Sequence, residues 1–183
     1  MFSKRILVGA ALAATVAISL TACSASGTPA GDVDAATATS AEAFGGLDAL
    51  IAAAKANLQK EAAARGVSPD RLVFAPHADY ATYLARTQLA DLFLDNNYWN
   101  GHSTASDALR CGVPVITCQG QSFASRVAAS LLRAIGMPEL ITHSLEEYEA
   151  LALKLARDPA LLATTKEKLA RNRLTMPLFD TER

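Results

Sequence analysis

The sequence predicts an α/β domain: a Rossmann-like parallel sheet with helices on its faces. Two observations carry that prediction. Short apolar runs alternate with amphipathic stretches of helix length, the pattern of βαβ units. The apolar runs are continuous instead of alternating, as in strands buried on both faces. Composition agrees. Of 183 residues 51% are hydrophobic and only 6% aromatic. Such a balance, rich in Ala and Leu, favours helices over an all-β fold. The length suffices for one domain with a proper core.

The elements follow in order. ANLQKEAAARGV is built of helix formers and stops at Gly66, a natural residue just past a helix end. Arg71–Ala75 (RLVFA) is the first expected strand. DYATYLARTQLA is amphipathic at helical spacing. Asp91–Asp95 (DLFLD) is the second strand, Ser103–Cys111 a helix closed by Gly112, and Val113–Cys118 (VPVITC) the third strand. Ser122–Gly136 reads as a helix with Ser122 as its N-cap. Glu139–Thr142 (ELIT) is the fourth strand. Ser144 and Glu147 form a capping box for the next helix, and Pro159 starts the last one. Four parallel strands over residues 70–143 are thus expected.

The amino-terminal segment reads differently. Lys4 and Arg5 precede an apolar run, Ile6–Leu20, which is the pattern of a secretory signal. The run is shorter than the roughly 20 residues of a membrane span. Leu20-Thr21-Ala22-Cys23 resembles a bacterial lipobox, which implies a lipidated Cys23 and an anchor on the extracytoplasmic face of a bacterial membrane. Residues 1–23 are then a lipoprotein signal peptide. Residues 24–46 carry almost no large apolar side chain and read as a disordered linker. FGGLDALIAAAK resembles the mature start of solute-binding lipoproteins of ABC transporters, and that resemblance ends at Lys55.

Formal net charge is −1, from 17 basic and 18 acidic residues. A nucleic-acid partner would call for a concentrated basic face, and none is visible. The three cysteines, Cys23, Cys111 and Cys118, form no CxxC pair and no His stands at ligand spacing, so no metal site is expected. Cys111 and Cys118 read as buried free thiols.

The stretch NGHSTASDALRCGVPVITC carries the chemistry. It follows a strand and opens a helix, where α/β sheets bind ligands. A helix N-terminus offers unpaired N–H groups and a positive dipole end, and phosphates bind there for both reasons. Gly101 lets backbone approach closely. His102, Ser103 and Thr104 add side-chain donors. Asp107, one turn on, can accept from sugar hydroxyls. The alternative is a plain Ser/Thr-capped helix start.

The segments LVFAP, QLADLFLD, NGHSTASDALRCGVPVITC, SFASRVAASLLRAIGMPELI, SLEEYEALALKLARD and MPLFDT together resemble the C-terminal catalytic lobe of the protein O-GlcNAc transferases, the family that includes SPINDLY. The resemblance covers about residues 57–183, and residues 47–183 are assigned to the lobe. It implies the second half of a GT-B fold and UDP-GlcNAc as donor substrate, with a protein or peptide acceptor. It implies that His102, Ser103 and Thr104, just after Gly101, hold the diphosphate, with Ser103 in place of a Thr. Asp107 takes the ribose-contacting position. Ala78 through Arg86 takes the base-contacting stretch, with Ala78, Tyr83 and Arg86 as candidate contacts. Tyr80 and Tyr83 stand where many members carry Lys and His, and Gln119-Gly120-Gln121 replaces a Pro-Gly-Glu loop. No cofactor and no metal is implied, because helix N–H groups and side-chain donors can stabilise the leaving diphosphate. One lobe of a two-lobed enzyme is expected to bind UDP weakly and to transfer sugar poorly alone. This half by itself implies a cytoplasmic protein, against the export signal.

Two other function classes stand beside this one: a non-enzymatic UDP-binding or scaffolding module, and an exported solute-binding lipoprotein supported by residues 1–55. His77 and His143 read as solvated loop residues in preference to general bases, Arg126 as either a cleft-facing residue or a surface charge, and Asp91, Glu146 and Glu147 as surface acids. Tyr98-Trp99 suits either a cleft wall or the core.

Overall fold

The computed structural model describes residues 6–8 and 46–180. The linker read over residues 24–46 and Cys23 lie outside the described residues, apart from Gly46. The chain divides into two compact units, residues 10–77 and residues 1–9 with 78–183.

In the first unit, helix α1 (Gly46–Ala64) runs without a break through Lys55. Val67 N–H donates to Ala62 O and Gly66 N–H to Ala63 O. This bond pair needs a left-handed residue, and Gly66 supplies it at φ +72°. The Lys55 ammonium sits 5.6 Å from the Phe74 ring centre.

The second unit holds the sheet. Strands β1 (Ile6–Val8), β2 (Leu92–Leu94), β3 (Val115–Cys118) and β4 (Ile141–Thr142) lie in that spatial order. All pairs are parallel, with Leu7 opposite Phe93, Leu94 opposite Ile116 and Cys118 opposite Thr142. Helices α2 (Tyr80–Thr87), α3 (Ser103–Arg110), α4 (Val127–Ala134), α5 (Leu145–Arg157) and α6 (Pro159–Asn172) complete it. The α/β class with a parallel sheet and flanking helices is therefore what the chain adopts.

One strand departs from the sequence reading. Arg71–Ala75 forms no strand: Pro69–Arg71 is a 3-10 turn, the chain after it is irregular, and Val73 is 86% exposed. The partner of β2 on that side is Ile6–Val8, three residues of the predicted signal run. A short β-type run becomes a strand only where a partner strand completes its hydrogen bonds, and here Ile6–Val8 has the partner. Smaller differences follow local chemistry. Pro138 fixes φ and opens a 3-10 turn over Pro138–Leu140, so β4 starts at Ile141. Ser122 caps a 3-10 turn, Phe123–Ser125, and α4 begins only at Val127.

The core is one cluster. Leu92, Phe93, Val115 and Ile116 of the strands pack with Ala105, Ala108 and Leu109 of α3, Leu132 of α4, Leu155 of α5 and Leu169 of α6. Cys111 and Cys118 are half-buried, not buried as expected. The first caps the end of α3 and the second ends β3, both where the chain leaves the core. Among the described residues no helix is long and apolar enough to cross a membrane.

Candidate functional site

The site grows from the end of β2. Asp95, the next residue after the strand, is 5% exposed. Its Oδ1 accepts from Gly101 N–H at 2.6 Å, and its Oδ2 from the Thr117 hydroxyl at 2.6 Å. Its backbone carbonyl accepts from the Tyr148 hydroxyl at 2.9 Å. Burial pushes the Asp95 carboxyl up to about 6, although the Gly101 and Thr117 donors pull it down. Burial and the nearby Asp95 carboxylate hold the Tyr148 phenol protonated.

Asn100 pins the same loop from the other side. It is buried; its N–H donates to Ala124 O at 2.8 Å, its Nδ2 to Asn96 O at 2.7 Å, and its Oδ1 accepts from Ala128 N–H at 3.3 Å. Gly101 fits because the space for a side chain is tight. A Cβ there would lie 2.7 Å from Thr104 Oγ1 and 3.2 Å from Ala105 N.

The loop delivers the start of α3. Helices α2, α5 and α6 are each capped by a side chain, from Asp79, Ser144 and Asp158. In α4, Asn100 Oδ1 takes over that task. The N-cap residue of α3 is His102, and it makes no side-chain capping bond. The Ser/Thr-capped start weighed above is not what forms. The His102 ring lies nearly parallel to Trp99, 5.9 Å between centroids, and meets the edge of Phe123 at 6.1 Å. Its Nε2 is buried with no hydrogen-bond partner. Buried polar atoms are nearly always paired, so an orphan of this kind asks for an explanation.

The structure gathers Gly101, His102, Ser103, Thr104 and Asp107 on the first turns of α3. It also brings Tyr80 there, whose hydroxyl donates to Asp107 Oδ1 at 2.8 Å. That bond raises the Tyr80 phenol above its ordinary range. Tyr83 stacks on Tyr80 at 6.2 Å and is raised by burial. Ala78 precedes the α2 cap and Arg86 lies in the last turn of α2, both half-buried. Tyr98 and Trp99 are 92% and 47% exposed, which takes them out of the core. His77, His143 and Arg126 are exposed, as read.

Sequence reasoning missed the supports. Asp95 was visible as a strand-end acid, but its bonds to Gly101 and Thr117 were not. It also missed an open cleft of about 500 Å³, lined by Asn97, Gln119, Gly120, Gln121 and His143 among others. This lining shares no residue with Gly101–Asp107. Among the described residues no group of three or more His, Cys, Asp or Glu is placed to hold a metal ion.

Comparison with known proteins places the chain in a family. The sequence model of the family described as Glycosyl transferase family 41 matches residues 47–183. A probable UDP-N-acetylglucosamine--peptide N-acetylglucosaminyltransferase, SEC of Arabidopsis thaliana, is 46% identical over 134 residues, 72% of this chain and 14% of that protein. The UDP-N-acetylglucosamine--peptide N-acetylglucosaminyltransferase of Caenorhabditis elegans is 39% identical over 126 residues, 69% of this chain and 11% of that one. A solved mutant of the Thermobaculum terrenum O-GlcNAc transferase superposes with a TM-score of 0.64 at 34% identity, covering 70% of this chain and 24% of its own. The chain thus spans a small part of the length of these relatives. With residues 47–183 matched as a whole, the chain belongs to glycosyl transferase family 41.

Proposed function

We propose that residues 47–183 form the nucleotide-sugar-binding lobe of a protein O-GlcNAc transferase, with UDP-GlcNAc as donor and a protein or peptide as acceptor. The observation that supports this most is the start of α3. It is a helix N-terminus without a capping side chain, with a buried, unpartnered His102 Nε2 beside it. The N–H groups of the first turn and the Ser103 and Thr104 hydroxyls would take the diphosphate oxygens. An N–H on His102 Nε2 would add one more donor. As the bond from sugar to phosphate breaks, charge grows on the leaving diphosphate, where these fixed donors stabilise it without a metal. Asp107 Oδ2 remains for a ribose hydroxyl while Oδ1 holds Tyr80. Ala78, Tyr83 and Arg86 belong to the base side of this reading. Sugar transfer belongs to the two-lobed enzyme.

UDP should therefore raise the melting temperature of the full chain, and no shift at millimolar UDP would refute the reading. Asp107→Asn separates ribose from phosphate. It should weaken UDP about tenfold, the value of a hydrogen bond to a charged acceptor, and leave pyrophosphate binding unchanged in titration calorimetry. Equal losses for both ligands would remove Asp107 from the ribose.

Lipid attachment at Cys23, and with it a membrane anchor on the extracytoplasmic face, is proposed from the sequence alone. Processing there would remove Ile6–Val8 and leave one side of β2 unpaired, an edge that proteins normally cover. The two fates of these residues exclude each other. The mass of the native protein separates them: an acylated chain starting at Cys23, lost in Cys23→Ala, supports the anchor. A chain starting at Met1 refutes it and leaves β1 in place.

A further inference from the structure

We propose that Asn100–Gly101 is a latent deamidation site, held shut in the folded chain by Asp95, Asn96 and Ala128, and that its reaction dismantles the α3 start. It is the one Asn-Gly step in the sequence. Glycine makes such a step reactive because no Cβ keeps its backbone nitrogen away from the preceding side chain. The Gly101 nitrogen attacks Asn100 Cγ and loses its proton. The bond from Cγ to Nδ2 breaks, Nδ2 takes up that proton and leaves as ammonia, and a succinimide ring remains. Water then opens the ring. Attack at Cγ gives aspartate at position 100. Attack at the backbone carbonyl gives isoaspartate, with the chain rerouted through the side chain and one carbon longer. Water is the only other reactant.

Every group in that step is engaged elsewhere. Gly101 N–H donates to Asp95 Oδ1 at 2.6 Å, so the attacking nitrogen is tied to a buried carboxyl group. When ionised, that group also opposes loss of the nitrogen's proton, as a like charge does. The leaving Nδ2 donates to Asn96 O at 2.7 Å, and Oδ1 accepts from Ala128 N–H at 3.3 Å. Asn100 N–H is bound to Ala124 O as well. Neither side chain nor backbone can turn into an attack geometry without breaking several of these bonds. Asn100 is 1% exposed and Gly101 is buried, which also keeps out the water of the second step. The reaction therefore waits on local opening, and its rate follows the population of the open form.

Either product weakens the closed form. Aspartate has no donor for Asn96 O, and it puts a second carboxylate beside the residue that Asp95 holds. Isoaspartate moves Gly101 off the Asp95 carboxylate by one backbone carbon. Both free the loop that delivers α3, so Asp95 guards this step as well as anchoring it. None of these events involves UDP.

Peptide mass mapping of the incubated full chain is the test. In urea, Asn100 should convert ahead of Asn57 and Asn97, which precede Leu58 and Tyr98. In the folded chain it should convert at the urea rate multiplied by the open fraction that hydrogen exchange measures at Gly101 N–H. Asp95→Ala should raise the folded-chain rate by about tenfold or more, because a bond to a charged acceptor favours the closed form by that factor. Asp95→Asn, which keeps an acceptor for Gly101 N–H, should stay near the native rate. Asn100→Asp reproduces one product and should lower the melting temperature and strip exchange protection from Gly101. If Asp95→Ala does not fold, the exchange-scaled native rate and Asn100→Asp still decide. The proposal would be overturned by conversion in the folded chain as fast as in urea, by none in urea, or by a rate unrelated to Gly101 exchange. An unchanged rate in folded Asp95→Ala, or an Asn100→Asp chain as stable as the native one, would overturn it equally.

Discussion

Asp95→Ala is expected to cost about 2–4 kcal/mol of folding stability, the range for buried charge-assisted bonds whose partners are left unpaired. The carboxylate holds Gly101 N–H and the Thr117 hydroxyl together, two donors on separate elements. Its loss strands both in a site with little water. A pH profile distinguishes this from a loss of packing. The folded Asp95 carboxyl sits near 6, above its ordinary value. The folded state therefore binds more protons than the unfolded chain between about pH 4 and 6. Stability from this group rises as pH falls through 6 and levels off below the unfolded value. Between pH 7 and 5 the gain is about 1 kcal/mol. Asp79 and Glu146, held low by hydrogen bonds, act with the opposite sign and at lower pH, so the window is clear of them. Chemical denaturation at the two pH values should show the gain in the native protein and not in Asp95→Asn. An Asp95→Ala variant within half a kcal/mol of the native protein would mean that the anchor does not hold α3.

What could be read in advance was local. The Ser144 cap on Glu147 N–H, the Pro159 start of α6 and the glycine stop at Gly66 each depend on residues within one helical turn, and each forms as expected; the Glu147 carboxylate reaches one residue further back than a capping box, to His143 N–H. The α3 motif was legible for the same reason: strand end, Gly, His, hydroxyls and an apolar face follow one another in the chain. Partner choice was not legible. RLVFA and ILV are equally β-prone, and only pairing across more than eighty residues decides which lies beside β2. The site's supports share this property. Asp95 reaches Thr117, Asn100 reaches Ala128 and Tyr148 reaches Asp95, over 22 to 53 positions. No spacing rule encodes such bonds. The contacts of the His102 ring with Trp99 and the edge of Phe123 belong with them: all three residues were visible, and their meeting was not.

The His102 ring sets up the second large effect. His102→Ala is expected to weaken UDP by roughly tenfold to a hundredfold, the range for one hydrogen bond to a charged oxygen, about 1.5–3 kcal/mol. Two features of the free protein make the loss specific to the ligand. Nε2 has no protein partner, so its removal breaks no bond in the unliganded fold. His102 is also not a capping side chain, so α3 keeps its start. What the fold does lose is ring contact with Trp99 and Phe123, and both of those are themselves substantially exposed. The melting temperature without ligand should accordingly fall by little, while the UDP-induced rise should shrink or vanish. His102→Gln adds a control, since its amide restores a donor without a ring. Partial recovery of UDP binding by Gln, with none by Ala, assigns the effect to the donor. A sharp loss of stability in both variants, with unchanged nucleotide affinity in the folded fraction, would instead make His102 a strut of the α3 start, and the unpaired Nε2 would need a different partner from the diphosphate.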